Sequence, residues 1–135
     1  MNPMVKNQLL ETKNFVWLPN ENQESLLKAG LIEDSSAIIA WKNWKKSFSS
    51  EKLNEAESRL FPLVYHNLTN QNYSDEFTPI LKQKHRNSFK NTQIKLAITE
   101  KLIKTLNENN IRTILLKGTA LNFIYYESVA LRPMS

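Results

Sequence analysis

The chain has no cysteine among its 135 residues, which excludes disulfide bridges and thiolate metal sites. No segment approaches the roughly 18 consecutive apolar residues that a membrane span requires. The first residues also lack the apolar run after a basic patch that marks a secretory signal. Together these absences predict a cytoplasmic protein with no membrane partner.

Glycine is nearly absent as well, since only Gly30 and Gly118 occur. Gly30 lies between two helical patterns. It is predicted to end a helix as a C-cap, because glycine adopts the left-handed conformation at little cost. Gly118 follows a short apolar segment, so a different role is expected there.

The amino-acid composition predicts a folded and basic chain. Hydrophobic residues make up 41% of the sequence, enough for a real core, and the formal net charge is +5. The basic residues of "WKNWKKSF" and "LKQKHRNSFKN" recur at helical spacing among apolar ones. We interpret them as solvated helix faces, with contact to nucleic acid as the alternative.

Helical periodicity dominates residues 1–109, which we predict to form an N-terminal helical region. One helix opens near 34–36, and its Trp41 and Trp44 are expected to face the core rather than to stack bases. A long helix is predicted from Thr78 or Pro79 to Asn109. The two histidines, His66 and His85, have no carboxylate motif between them and are interpreted as ordinary helix residues.

The spacing of apolar residues changes at residue 110, from a helical to a strand-like pattern. Residues 111–116, "IRTILL", are predicted to form a mostly buried strand, and "TALNFIYYES" resumes helical spacing. A single strand cannot satisfy its own ladder hydrogen bonds. Self-association through an unpaired strand edge is therefore expected.

The turn between this strand and the next helix carries chemistry suited to phosphate. Gly118 permits close approach of the backbone to an anion, Thr119 offers a hydroxyl and a possible helix cap, and Lys117 adds a positive charge. The spacing is not that of a Walker P-loop. An ordinary strand-to-helix connection is the alternative explanation of these residues.

The segment "LLKGTALNFIYYESVALRPMS" resembles the start of the active-site region in the uncharacterised bacterial nucleotidyltransferase family of the DNA polymerase β superfamily. The "FPLVYHNL" element and the long helix are also similar to the region that this family places upstream. The residues that match the family pattern are Leu115, Leu116, Lys117, Gly118, Thr119, Ala120, Leu121, Tyr125, Leu131, Arg132, Pro133 and Ser135.

This resemblance implies an α+β fold, with the helical region of 1–109 followed over 110–135 by the first strand and helix of a truncated nucleotidyltransferase fold. The implied activity is transfer of a nucleoside monophosphate from an NTP to an unknown hydroxyl acceptor, using Mg²⁺. Lys117, Gly118, Thr119 and Arg132 would bind the nucleotide, although a structural salt bridge is an equal alternative for Arg132.

The family's metal-binding Asp-x-Asp does not occur among the 13 acidic residues of this sequence. No catalytic or metal-binding residue is therefore assigned, and the chain alone is expected to be an inactive fragment. A non-catalytic helical interaction module, or one half of a split protein, is the alternative function.

Overall fold

The computed structural model describes residues 18–48 and 55–134. These residues form six helices, which follow one another along the chain as α1 Glu21–Leu31, α2 Ser36–Ser47, α3 Glu55–Ser58, α4 Phe61–Asn70, α5 Thr78–Glu108 and α6 Lys117–Ile124. The predicted long helix is confirmed as α5. No helix in the described ranges has the length and apolar character needed to cross a bilayer.

Local signals account for where the first two helices begin. A capping box opens α1: the Asn20 side chain accepts a hydrogen bond from the Gln23 backbone at 2.9 Å, and the Gln23 side chain accepts one from the Asn20 backbone at 3.0 Å. Ahead of α2, Asp34 accepts a hydrogen bond from the Ser36 backbone at 2.8 Å. Acceptors at these positions satisfy N–H groups that have no partner within the helix.

Helices α1, α2 and α4 and the first turn of α5 enclose one hydrophobic core. Its buried members are Leu26, Ala29, Ala40, Trp41, Trp44, Phe61, Val64, Leu68 and Leu81. The prediction that Gly30 ends a helix is wrong, since Gly30 lies inside α1. A Cβ built at Gly30 would lie 3.4 Å from the Leu63 side chain. Gly30 therefore lies where α1 contacts α4, and it does not reverse the chain.

The two tryptophans of α2 are in the core, as the sequence predicts. Trp41 is fully buried, and its ring stacks on that of Trp44 with centroids 5.0 Å apart. Phe61 meets Trp44 edge-on at 5.6 Å, and Phe77 meets Trp41 edge-on at 5.8 Å. Offset and edge-on contacts of this kind add stability beyond the burial of area.

The Asp75 carboxylate joins the α4–α5 loop to α2 through hydrogen bonds. One oxygen of Asp75 accepts hydrogen bonds from Trp41 Nε1 at 2.8 Å, Lys45 Nζ at 2.7 Å and the Tyr73 hydroxyl at 3.2 Å. The other oxygen accepts from the Phe77 backbone at 2.9 Å, just before α5 begins. The Asp75 side chain is only 8% exposed.

This network shifts the pKa of both charged partners. Burial alone would raise the pKa of Asp75, but the hydrogen bonds from Lys45, Trp41 and Phe77 outweigh it and hold the pKa below its ordinary value of 3.8. Burial would likewise lower the pKa of Lys45, but its bonds to Asp75 and Glu76 raise that pKa to about 12.

The α+β prediction is wrong for this structure, because the described residues are helical and contain no strand. Residues 111–116 are neither helical nor paired with another segment. The predicted burial is also wrong, since Ile114 is 84% exposed and Leu116 is 70% exposed. A strand exists only through ladder hydrogen bonds to a neighbour, and no described segment forms a ladder with this one.

Candidate functional site

The start of α6 has unusual backbone geometry. Leu116 is extended, with φ −121° and ψ 166°, and the exposed Lys117 that follows has φ 53°. A positive φ is uncommon for a residue with a side chain, and such positions concentrate at ligand-binding and active sites. The backbone thus turns sharply at the lysine that the sequence singles out.

Gly118 and Arg132 are brought together across 14 positions of sequence. A Cβ built on Gly118 would overlap a terminal nitrogen of the Arg132 guanidinium. Gly118 does not have a positive φ, so conformational freedom is not the reason for glycine here. The Arg132 guanidinium occupies the space that a Cβ at this position would fill, so a larger residue here would displace the guanidinium.

Thr119 lies half-buried in the first turn of α6 and does not cap it. The expectation that Thr119 acts as a cap is therefore wrong, since the N-cap position is Leu116 and no side chain caps this end. Backbone N–H groups in the first turn of a helix have no partner within the helix. Together with the helix dipole, they favour an anion at this end of α6.

Arg132 belongs to the segment of residues 125–134, which packs on the helical region. Leu131 is buried, and its backbone donates a hydrogen bond to the Ser128 carbonyl at 3.1 Å. Lys95 of α5 donates to the Met134 carbonyl at 2.5 Å. These contacts fix the chain on either side of Arg132, so its side chain returns to the start of α6.

The charge of Arg132 is not neutralised by the described part of the chain. None of the salt bridges formed there involves Arg132. The structural salt bridge weighed for this residue is therefore absent from residues 18–48 and 55–134. A guanidinium without a carboxylate partner, beside a helix N-terminus, is an arrangement that attracts phosphate.

Asn122 is a feature of this region that the sequence reasoning missed. It lies on α6, three positions after Thr119, and it is only 3% exposed. Neither its side-chain oxygen nor its nitrogen has a hydrogen-bond partner. Buried amides are normally satisfied, so an unpartnered one calls for an explanation. An asparagine inside the apolar run "ALNFIYY" was the available signal.

The described residues do not fit a divalent metal. They bring together no group of three or more His, Cys, Asp or Glu side chains able to hold an ion. The side chains gathered at the start of α6 are cations, a glycine and a hydroxyl, and Mg²⁺ prefers carboxylate and water oxygens. No chemical step is therefore assigned to a metal held by these residues.

Comparison with known proteins places the chain in a family. A family model described as uncharacterised nucleotidyltransferase matches residues 55–135, which include α3 to α6 and the whole candidate site. The chain belongs to this nucleotidyltransferase family. No curated protein and no solved structure matches the chain.

Proposed function

We propose that this chain supplies part of the NTP site of a nucleotidyltransferase that transfers a nucleoside monophosphate to a hydroxyl acceptor. The observation that carries the proposal is the Arg132 guanidinium seated against Gly118 at the uncapped start of α6. Family membership supports the same reaction class. The acceptor in this proposal is an alcohol.

In this proposal the α6 start holds the triphosphate through four residues. Lys117 and Arg132 neutralise its charge, Gly118 leaves the backbone N–H groups accessible, and the Thr119 hydroxyl donates a hydrogen bond. Phosphoryl-transfer enzymes work mainly by positioning and by neutralising charge on the reacting phosphates. The residues gathered here suit the binding part of that task.

We further propose that the reaction uses Mg²⁺, as the polymerase β superfamily does, with metal ligands that the described residues do not supply, and that the 135-residue chain alone does not catalyse it. The proposed lack of catalysis is supported by the sequence, which contains no Asp-x-Asp, and by the described carboxylates, which do not cluster. When bound, Mg²⁺ would align the phosphates and neutralise their charge. Incubation with labelled NTPs, Mg²⁺ and alcohol acceptors is expected to show no transfer.

The binding role is tested by titrating the chain against a fluorescent NTP analogue, with and without Mg²⁺. Lys117→Ala removes a charged contact worth about 1.5–3 kcal/mol, so affinity should fall roughly 10- to 150-fold. Thr119→Ala removes a neutral hydrogen bond worth about 0.5–1.5 kcal/mol and should cost roughly two- to tenfold. Arg132→Ala is expected to resemble Lys117→Ala.

Lys101→Ala is the matched control, because it removes an exposed lysine that lies on α5 and not in the turn. It changes the net charge as Lys117→Ala does and should leave affinity unchanged. Circular dichroism must show that every variant is folded. If all three site variants bind the analogue as the wild type does, the turn is only a connection and the assignment of the NTP site fails.

The same result would favour the second candidate function, a non-catalytic interaction module. The observation behind it is the exposure of large apolar side chains on the second half of α5 and on α6: Ile98 is 62% exposed, Leu102 57% and Phe123 65%. Apolar surface of this kind commonly marks protein contacts. Self-association would then use this surface, and light scattering over a range of concentrations would detect it.

A further inference from the structure

The first two thirds of α5 have a charge pattern that the role of this helix in folding does not explain. Residues 77–99 contain five lysines and arginines and no aspartate or glutamate. A solvated helix face ordinarily mixes both signs, because oppositely charged residues four apart stabilise the helix and like charges there destabilise it. About six turns of α5 lack this compensation.

Three of these cations form a row on one face. Lys82, Arg86 and Lys90 follow one another at intervals of four, and all three are exposed. At about 100° per residue, Arg86 and Lys90 lie on the side of α5 away from the buried Leu81 and Ser88, and Lys82 lies on the flank next to them. None of the three takes part in a salt bridge within residues 18–48 and 55–134. The row therefore presents unneutralised charge to solvent.

An aromatic ring and two amides border the row. Phe89 is 46% exposed and lines the same surface depression as Arg86 and Lys90. The exposed amides of Gln83 and Asn87 line it as well. Regularly spaced cations suit a phosphodiester backbone, and an exposed aromatic ring suits stacking by an unpaired base.

We propose that this basic face of α5, made by Lys82, Arg86, Lys90 and Phe89, binds single-stranded RNA. The cations contact successive phosphates, and the ring of Phe89 stacks on a base. The amides of Gln83 and Asn87 favour RNA over DNA, because a 2′-hydroxyl both donates and accepts hydrogen bonds. The inference rests on α5 alone and does not require the proposed NTP site.

The test is a fluorescence-anisotropy titration of the full chain with a labelled mixed-sequence RNA of about 20 nucleotides, from 50 to 200 mM salt. The triple variant Lys82→Gln/Arg86→Gln/Lys90→Gln should bind at least about tenfold more weakly. Removing three phosphate contacts should also reduce the slope of log K against log salt by about 2. Phe89→Ala should weaken binding about fivefold or more with the slope unchanged.

The matched control is Lys46→Gln/Lys101→Gln/Lys104→Gln, which removes three exposed lysines elsewhere and gives the same net charge. It should retain nearly all of the wild-type affinity. An equal loss in this control would show that overall charge and not the face binds RNA, and it would overturn the proposal. Unchanged affinity of Phe89→Ala would also overturn it, because stacking would then be absent.

Two further arms distinguish other ligands. A DNA strand of the same sequence should bind more weakly than the RNA, and equal binding would refute the preference for RNA. Vesicles containing about one third anionic lipid should not compete with the RNA. If the chain binds these vesicles and not the RNA, the face is a membrane contact and the proposal is wrong. Thermal melting of each variant confirms that the exposed substitutions leave the fold intact.

Discussion

Replacing Asp75 with alanine should destabilise the helical region more than any surface change. The Asp75 carboxylate is 8% exposed and accepts four hydrogen bonds, from Trp41, Lys45, Tyr73 and the Phe77 backbone. Its removal leaves Nε1 of the fully buried Trp41 without an acceptor and takes from Lys45 its buried partner. The orphaned Trp41 donor costs about 1–3 kcal/mol, and the lost charge-assisted hydrogen bond to Lys45 costs about 1.5–3 kcal/mol, while Lys45 keeps its ion pair with Glu76.

Urea unfolding followed by tryptophan fluorescence measures this loss. With a slope of about 2 kcal/mol per molar urea, a loss of about 4 kcal/mol moves the midpoint down by about 2 M. Glu76→Gln is the control, since Glu76 binds the same lysine at 2.8 Å from an exposed position. Its midpoint should be that of the wild type. A shift below about 0.5 M for Asp75→Ala would refute the role of the network.

The ion pair of Asp75 and Lys45 also predicts how the stability of the protein depends on pH. The pKa of Asp75 is lower in the folded protein than its ordinary 3.8, so its contribution is present above pH 3.8 and is lost as pH falls through the folded pKa. The pKa of Lys45 is raised from 10.5 to about 12, so its contribution is present below pH 10.5 and is lost as pH rises through about 12. Asp75→Asn should flatten the acid limb relative to the wild type.

Two other side chains give further predictions. The amide of the buried Asn67 donates to two backbone carbonyls near the end of α1, at 2.8 and 2.6 Å, so Asn67→Ala should cost about 1–3 kcal/mol in urea unfolding; an unchanged midpoint would contradict this. Burial, and secondly the nearby His66, lower the pKa of His85 below its ordinary 6.5. His85 therefore contributes stability above pH 6.5 that is lost as pH falls below it. His85→Gln should lose less stability than the wild type between pH 7.5 and 5.5, and parallel curves would contradict the assignment.

Local sequence patterns predicted helices where apolar residues recur at helical spacing within a short stretch of the chain. The period of Ile94, Ile98, Leu102 and Leu106 predicted helix over the second half of α5, although the first three of these side chains are exposed. The tryptophan spacing gave the buried face of α2. The prediction for Gly30 was wrong, because a glycine between two helical patterns is typical of a helix C-cap. In the structure Gly30 lies within α1 and contacts α4, a helix more than thirty residues away, and spacing along the chain cannot reveal such a contact.

The sequence by itself determined the helical region, the burial of Trp41 and Trp44, and the family signature at Lys117, Gly118 and Thr119. These depend on periodicity and on residue types within a few positions of one another. Only the tertiary structure decided that Arg132 lies against Gly118, because the contact depends on how residues 125–134 pack on α5. It also decided that residues 111–116 form no strand here, since a strand requires a partner and β-branched residues alone do not provide one.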